Sequence, residues 1–161
     1  MVSFYCLGMF ADRSQVLQSI DGYYNAIFEY NPTDVNDHWK SYNPYLPNGT
    51  VQQLNSMDRI SGYWVYMFND VDFNYAGIYS DSTVYLYKGW NLIGYPSKQN
   101  SSINASLVGV PFTVVKYYNT TSDFWSVYYK NDLNNSFNQF ETYKGYWVNV
   151  SSNSQWNIFI G

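Results

Sequence analysis

Ile60-Ser61-Gly62-Tyr63-Trp64-Val65 and Tyr143-Lys144-Gly145-Tyr146-Trp147-Val148 carry the same Gly-Tyr-Trp-Val core about eighty residues apart, and that recurrence decides how the chain is read. Matches extend outward from it. Ala26-Ile27-Phe28-Glu29-Tyr30 aligns with Thr113-Val114-Val115-Lys116-Tyr117, and Trp39 and Tyr42 align with Trp125 and Tyr128. Ser3-Phe4-Tyr5-Cys6-Leu7-Gly8 aligns with Gly89-Trp90-Asn91-Leu92-Ile93-Gly94, and Phe73-Asn74-Tyr75 with Trp156-Asn157-Ile158. The small slips in offset fall in polar loops, where insertions are tolerated. Two tandem homologous units are therefore expected, residues 1–79 and 80–161.

Each unit consists of short apolar or alternating runs bounded by Gly, Pro, Asn and Ser, the pattern of strands joined by turns. In the second unit these are Val84 to Leu86, Trp90 to Tyr95, Thr113 to Tyr118, Trp125 to Tyr129, Tyr146 to Val150 and Trp156 to Ile160. The fold class predicted is all-β: two small β-barrel-like or β-sandwich-like units with short helical turns. Leu54 and Met57, and likewise Phe137 and Phe140, sit three apart, and Thr50 with Gln53 resembles a capping box. That spacing predicts a helical turn before each Gly-Tyr-Trp, with further turns at Ser14 to Ile20 and Ser101 to Leu107. Glu29 and Lys116 carry opposite charges at one repeat position, which predicts a site facing water. Met1 to Phe10 faintly resembles a leader, but Asp12-Arg13 follows it where a small-residue cleavage pattern belongs. Its match to Gly89–Gly94 makes it a strand.

Only 12% of the residues are charged while 22% are aromatic, so Asn, Ser, Thr and tyrosine hydroxyls must supply the solubility that charges usually provide. Eight Lys and Arg scattered singly, with a net charge of −4, form no basic stripe for a phosphate backbone, and nucleic acid is not an expected partner. No apolar run reaches the roughly 18 residues of a membrane-spanning helix. The lone cysteine, Cys6, excludes an internal disulfide and a thiolate metal cluster.

The order Gly-Trp-Asn-Leu-Ile-Gly-Tyr-Pro (Gly89 to Pro96), a Trp strand, Gly-Tyr-Trp-Val and a final strand ending in Gly resembles a tandem β repeat found in exported archaeal and bacterial surface proteins. The resemblance covers essentially the whole chain, twice. It implies an extracellular accessory module at a cell or virion surface, and it carries over no catalytic residue and no ligand.

Comparison of the halves also sorts the candidate chemistry. Trp39 aligns with Trp125, Trp64 with Trp147, Trp90 with Phe4 and Trp156 with Phe73. Aromatic residues at every paired position predict core roles for the tryptophans. Tyrosines that the halves do not share are the candidate ligand-binding surface: Tyr45, Tyr66, Tyr79, Tyr85, Tyr87 and Tyr129. Tyr85 and Tyr87 share one strand face, opposite Val84 and Leu86. Asp70, Asp72 and Asn74 have alternating oxygen-ligand spacing, but Tyr75 stands where a calcium loop needs Gly, so the segment reads as strand. Asp34, Asn36 and Asp37 form a second oxygen-rich loop. His38 aligns with Phe124 and Cys6 with Leu92, which gives neither a catalytic setting. Asp58 and Glu141 share the position before Gly-Tyr-Trp, where one carboxylate per unit suits a turn acceptor better than an acid/base pair. No catalytic residue, metal or cofactor is expected.

Asn-x-Ser/Thr triplets begin at Asn48, Asn100, Asn104, Asn119, Asn134 and Asn149 and make these six residues glycosylation candidates. The leading expectation is a non-enzymatic structural or assembly module that contacts copies of itself or other surface proteins. The alternative is a carbohydrate-binding or adhesion module with glycan partners.

Overall fold

The computed structural model describes residues 1–4 and 6–159; Tyr5 and Ile160, both placed in strands by the sequence, lie outside the described residues. The first half holds β1 (Ala11–Asp12), α1 (Arg13–Val16), a 3-10 turn (Gln18–Ile20), β2 (Tyr24–Tyr30), β3 (Trp39–Tyr42), β4 (Ser56–Met57) and β5 (Tyr63–Met67). The second holds β6 (Ser82–Leu86), β7 (Gly89–Gly94), β8 (Ser101–Ser102), α2 (Ile103–Ser106), β9 (Phe112–Asn119), β10 (Phe124–Tyr129), β11 (Gln139–Phe140), β12 (Gly145–Val150) and β13 (Ser154–Ile158). The architecture is predominantly β. No helix among the described residues is long and apolar enough to cross a membrane.

Strand order follows the turn chemistry. β3-β2-β5 forms one antiparallel sheet and β10-β9-β12-β7 another, while β1-β4, β8-β11 and β6-β13 are two-stranded ribbons. The sheets stay open, which corrects the barrel alternative: β3 and β10 each have a strand on one side only. Both four-residue helices start at caps the sequence supplies. Asp12 accepts from the Ser14 backbone N–H at 2.8 Å, and Ser102 accepts from that of Ala105 at 3.2 Å.

Alternation along the strands sends one face of each large sheet to its own core. Phe4, Leu17, Ile27, Leu54, Met57 and Tyr63 are buried in the first half; Tyr95, Val115, Phe140, Tyr146, Val148 and Trp156 are buried in the second. The motif tyrosines anchor these cores and bring a hydroxyl with them. Tyr63 Oη accepts from the Asp58 N–H at 2.9 Å and Tyr146 Oη from the Glu141 N–H at 2.7 Å. Each buried hydroxyl thus satisfies a backbone donor in the turn ahead of it. Burial holds both phenols well above the ordinary tyrosine range.

Three expectations change. Residues 50–55 form no helix, and β4 and β11 stand where the helical turns were predicted. The Gln53 and Leu54 N–H groups both donate to the Ser41 carbonyl, so Leu54 and Met57 reach one core from an irregular extended path. The Phe73 segment is not a strand, because β13 is paired by β6 and no strand among the described residues flanks residues 70–80 in that way. The first residues do not form a full strand either; Val2 alone bridges, to Tyr63 and to Lys144.

Two alignments also shift. Val65 pairs with Ile27 and Val148 with Val115, so Phe28 matches Lys116 and Glu29 matches Tyr117, one residue from the sequence alignment. A one-residue slip exchanges the two faces of a strand, so Glu29 and Lys116 do not share a water-facing site. Glu29 is half-buried and accepts from Ser61 Oγ at 2.8 Å, while burial raises its carboxyl above the usual range. Val2 lies opposite Tyr63 as Ile93 lies opposite Tyr146, so Phe4 matches Tyr95 and not Trp90.

Where the halves meet, contacts come in reciprocal pairs. Ser61 bridges Ile93 and Lys144 bridges Val2. The Gly94 N–H donates to the Ile60 carbonyl at 2.8 Å, and the Ser3 N–H to the Tyr143 carbonyl at 3.0 Å. This junction explains the motif glycine. A Cβ on Gly62 would lie 2.7 Å from the Ile93 carbonyl oxygen, one on Gly94 2.7 Å from those of Arg59 and Ser61, and one on Gly145 3.0 Å from that of Val2. The backbones approach so closely there that any side chain forces a shift, least at Gly145.

Candidate functional site

Residues on the sheet faces turned away from the two cores meet in a cleft. In the first half Phe28, Tyr30, Trp39, Trp64 and Tyr66 alternate with core residues along β2, β3 and β5. In the second half Trp90, Lys116, Trp125 and Trp147 do the same on β7, β9, β10 and β12. Together they enclose about 1050 Å³, within the range of clefts that hold small or oligomeric ligands.

The cleft contains five of the six tryptophans, which overturns the expectation that all are core. Trp156 alone is fully buried, 2% exposed, whereas Trp39 and Trp125 are 41% and 44% exposed and Trp64, Trp90 and Trp147 are half-buried. Repetition in both halves does demand a structural reason, but the reason is a shared surface. Trp39 meets Trp147 and Trp125 meets Trp64, with ring centroids 5.9 Å apart in both cases. Tyr30 meets Trp147 at 4.9 Å, and Tyr118 meets Trp64 at 5.5 Å. These crossed pairs, edge-to-face except for the tilted Tyr118–Trp64 contact, hold the walls together at two places. The signal was present in the alternation Tyr63-Trp64-Val65-Tyr66, since buried Tyr63 forces Trp64 to the opposite face.

Electrostatically the cleft is simple. Lys116 is its one charged lining residue, with Nζ 5.0 Å from the centre of the Trp90 ring. No carboxylate, histidine or cysteine lines it. At one hairpin tip Tyr118 hydrogen-bonds Asp123, and at the other Tyr30 stacks on His38 with centroids 5.0 Å apart.

Of the six tyrosines singled out by sequence, only Tyr66 lines the cleft, at 65% exposed. Tyr45 packs on Phe68, Tyr79 lies under Lys98, Tyr85 and Tyr87 project at and beyond the end of β6, and Tyr129 ends β10. All five are exposed and are not gathered into one place. Asn48, Asn100, Asn104 and Asn134 are exposed. Asn119 and Asn149 end or occupy strands, half-buried, and their side-chain carbonyls accept from the Thr121 N–H at 3.0 Å and Thr113 Oγ1 at 2.9 Å, so these two amides already have partners.

The remaining polar groups have local explanations. Asp58 accepts from the Ile60 and Ser61 N–H groups, as a turn acceptor does, and Glu141 pairs with Lys144 at 2.8 Å. Asp34 pairs with Lys40 at 2.6 Å in the oxygen-rich loop of Asp34, Asn36 and Asp37. Cys6 is buried, and burial pushes its thiol up. Asn91 explains the Gly-Trp-Asn motif: its amide donates to the Tyr87 carbonyl at 2.8 Å and accepts from the Tyr87 N–H at 2.9 Å, closing the turn between β6 and β7. No known family model, curated protein or solved structure matches this chain.

Proposed function

We propose that the chain is a non-enzymatic recognition module of an exported surface protein, a tandem duplication whose halves hold a ligand in the aromatic cleft between them. The observation that carries the reading is the placement of five tryptophans, with ring surface exposed, around one cavity. A stable core would bury those rings, and a monomer surface without a partner rarely keeps so much apolar area together. The reciprocal junction contacts and the shared element order support the duplication, because two-fold related surfaces make each contact twice. The resemblance to surface-protein repeats supports the extracellular setting. The lining of rings and one amine offers no acid/base pair and no nucleophile beside a base, which favours binding over catalysis.

The test is a nitrogen–proton correlation spectrum followed during titration with an immobilised-glycan hit or a soluble oligosaccharide panel. Ligand entry shifts the indole resonances of Trp39, Trp64, Trp90, Trp125 and Trp147 while that of Trp156 stays in place. Shifts confined to residues around Tyr85 or Tyr45, with the cleft indoles silent, would overturn the reading.

Self-assembly is a second reading, favoured by the exposure of Tyr85 on β6, a strand that pairs with β13 alone. Concentration-dependent light scattering separates the two. Growth of scatter that Tyr85→Ala abolishes supports assembly, and a monomer at all concentrations removes it.

A further inference from the structure

The cleft walls differ at one informative position. Phe28 lies opposite Trp64 and Lys116 opposite Trp147, so an apolar ring on one wall stands where the other carries a cation. Lys116 is not spent on an internal ion pair, since no carboxylate among the described residues lies within ion-pair distance of it; Lys40 and Lys144, by contrast, are paired with Asp34 and Glu141. A half-buried ammonium held over an aromatic face attracts an anion more strongly than one on an open surface. Among the described residues none of the five indole N–H groups donates to a protein acceptor. The cleft therefore presents ring faces, free N–H donors and one cation, with no anion of its own.

Resting on the recognition reading above, we infer that the cleft takes an acidic oligosaccharide. One uronate-type carboxylate sits at Lys116, sugar C–H faces lie on the indoles, and the Phe28/Lys116 difference fixes which way round the chain of sugars binds. A pyranose suits this lining because its hydroxyl and ring oxygens accept from dispersed donors while one face stays apolar. The lining is made by side chains on sheet faces, so no free strand edge in the cleft offers an extended peptide a main-chain ladder. A polymer of like units also fits a cleft whose two ends repeat the same Tyr–Trp–Trp contacts.

Isothermal titration of the full chain with tetragalacturonate, with neutral cellotetraose and with a proline-rich decapeptide tests the inference, alongside the same indole spectra. Tetragalacturonate is expected to bind tightest, to weaken when salt is raised, and to lose about tenfold in Lys116→Gln, the worth of one charge-assisted contact. Cellotetraose affinity is expected to fall much less than that of tetragalacturonate in Lys116→Gln, and Phe28→Lys is expected to strengthen tetragalacturonate binding. Equal binding of both sugars with no effect of Lys116→Gln overturns the acidic ligand and leaves the cleft as a neutral-glycan site. Binding of the peptide alone overturns the sugar class. Silence of all three ligands at the cleft indoles overturns the inference and the recognition reading together.

Discussion

The two halves bury the same motif tyrosine, end on the same Trp wall and approach one another through the same glycine, yet they finish their cores differently. The second half closes over Trp156 with the β6-β13 ribbon, where Trp156 packs against Tyr95 and Phe140 at centroid distances of 6.0 and 5.0 Å. The first half covers Phe4 with Phe73 and Tyr75, edge-on at 5.1 and 5.0 Å, from a segment without strand pairing. One pattern of residues thus tolerates two ways of capping a core. At the junction, where backbone meets backbone, both halves keep the glycine of Gly-Tyr-Trp.

The largest test of this contrast is truncation of the capping ring. Trp156→Ala is expected to cost about 4 kcal/mol, as for a fully buried aromatic, and Phe73→Ala about 2 kcal/mol because its site is partly open and free to collapse. Urea midpoints of the two variants measure the difference, and equal losses would mean that the ribbon adds nothing. The junction comes next. Gly62→Ala is expected to cost about 3 kcal/mol, since its methyl collides with the Ile93 carbonyl, while Gly145→Ala, whose methyl would stand 3.0 Å from the Val2 carbonyl oxygen and needs only a small shift, costs about 1 kcal/mol. Equal effects would show that the two sides of the junction relax alike.

Smaller effects are expected at the cleft. Trp39→Ala and Trp125→Ala should each cost about 1 kcal/mol, well below the loss at a buried tryptophan, because each ring already keeps a large part of its surface in water. Thermal unfolding of the pair checks this, and a loss as large as that of Trp156→Ala would return them to the core. The smallest effect is a pH dependence confined to the first half. Burial raises the Glu29 carboxyl in the folded state, whereas its match in the second half is the neutral Tyr117. The folded state therefore holds the proton more tightly than the unfolded one. That contribution is fully present below the ordinary glutamate value and is lost as pH rises through the raised one. The stability of the native chain relative to Glu29→Gln should decline as pH rises across that window.

Much of this was legible in the sequence, and the failures share a cause. The six strands of the second half and the helical turns near Ser14 to Ile20 and Ser101 to Leu107 follow from local pattern and spacing. The cleft did not follow, because an aromatic at a repeated position is compatible both with a core and with a surface shared between halves. Only the pairing of Ile27 with Val65 and of Val115 with Val148 reveals which face Phe28 and Lys116 occupy. A sequence alignment one residue out hid the one charge in the site. Likewise Leu54 and Met57 have helical spacing for a non-helical reason, since a kinked extended segment anchored on the Ser41 carbonyl brings both inward.

The crossed indole pairs have a further consequence in the optical properties of the molecule. Trp39 with Trp147 and Trp125 with Trp64 are inclined at 75° and 71°, a chiral arrangement of transition dipoles at close range. Such pairs couple as excitons and give a split near- and far-ultraviolet circular dichroism band that fades as the rings separate. The two halves therefore carry a built-in gauge of their own spacing, readable without a label.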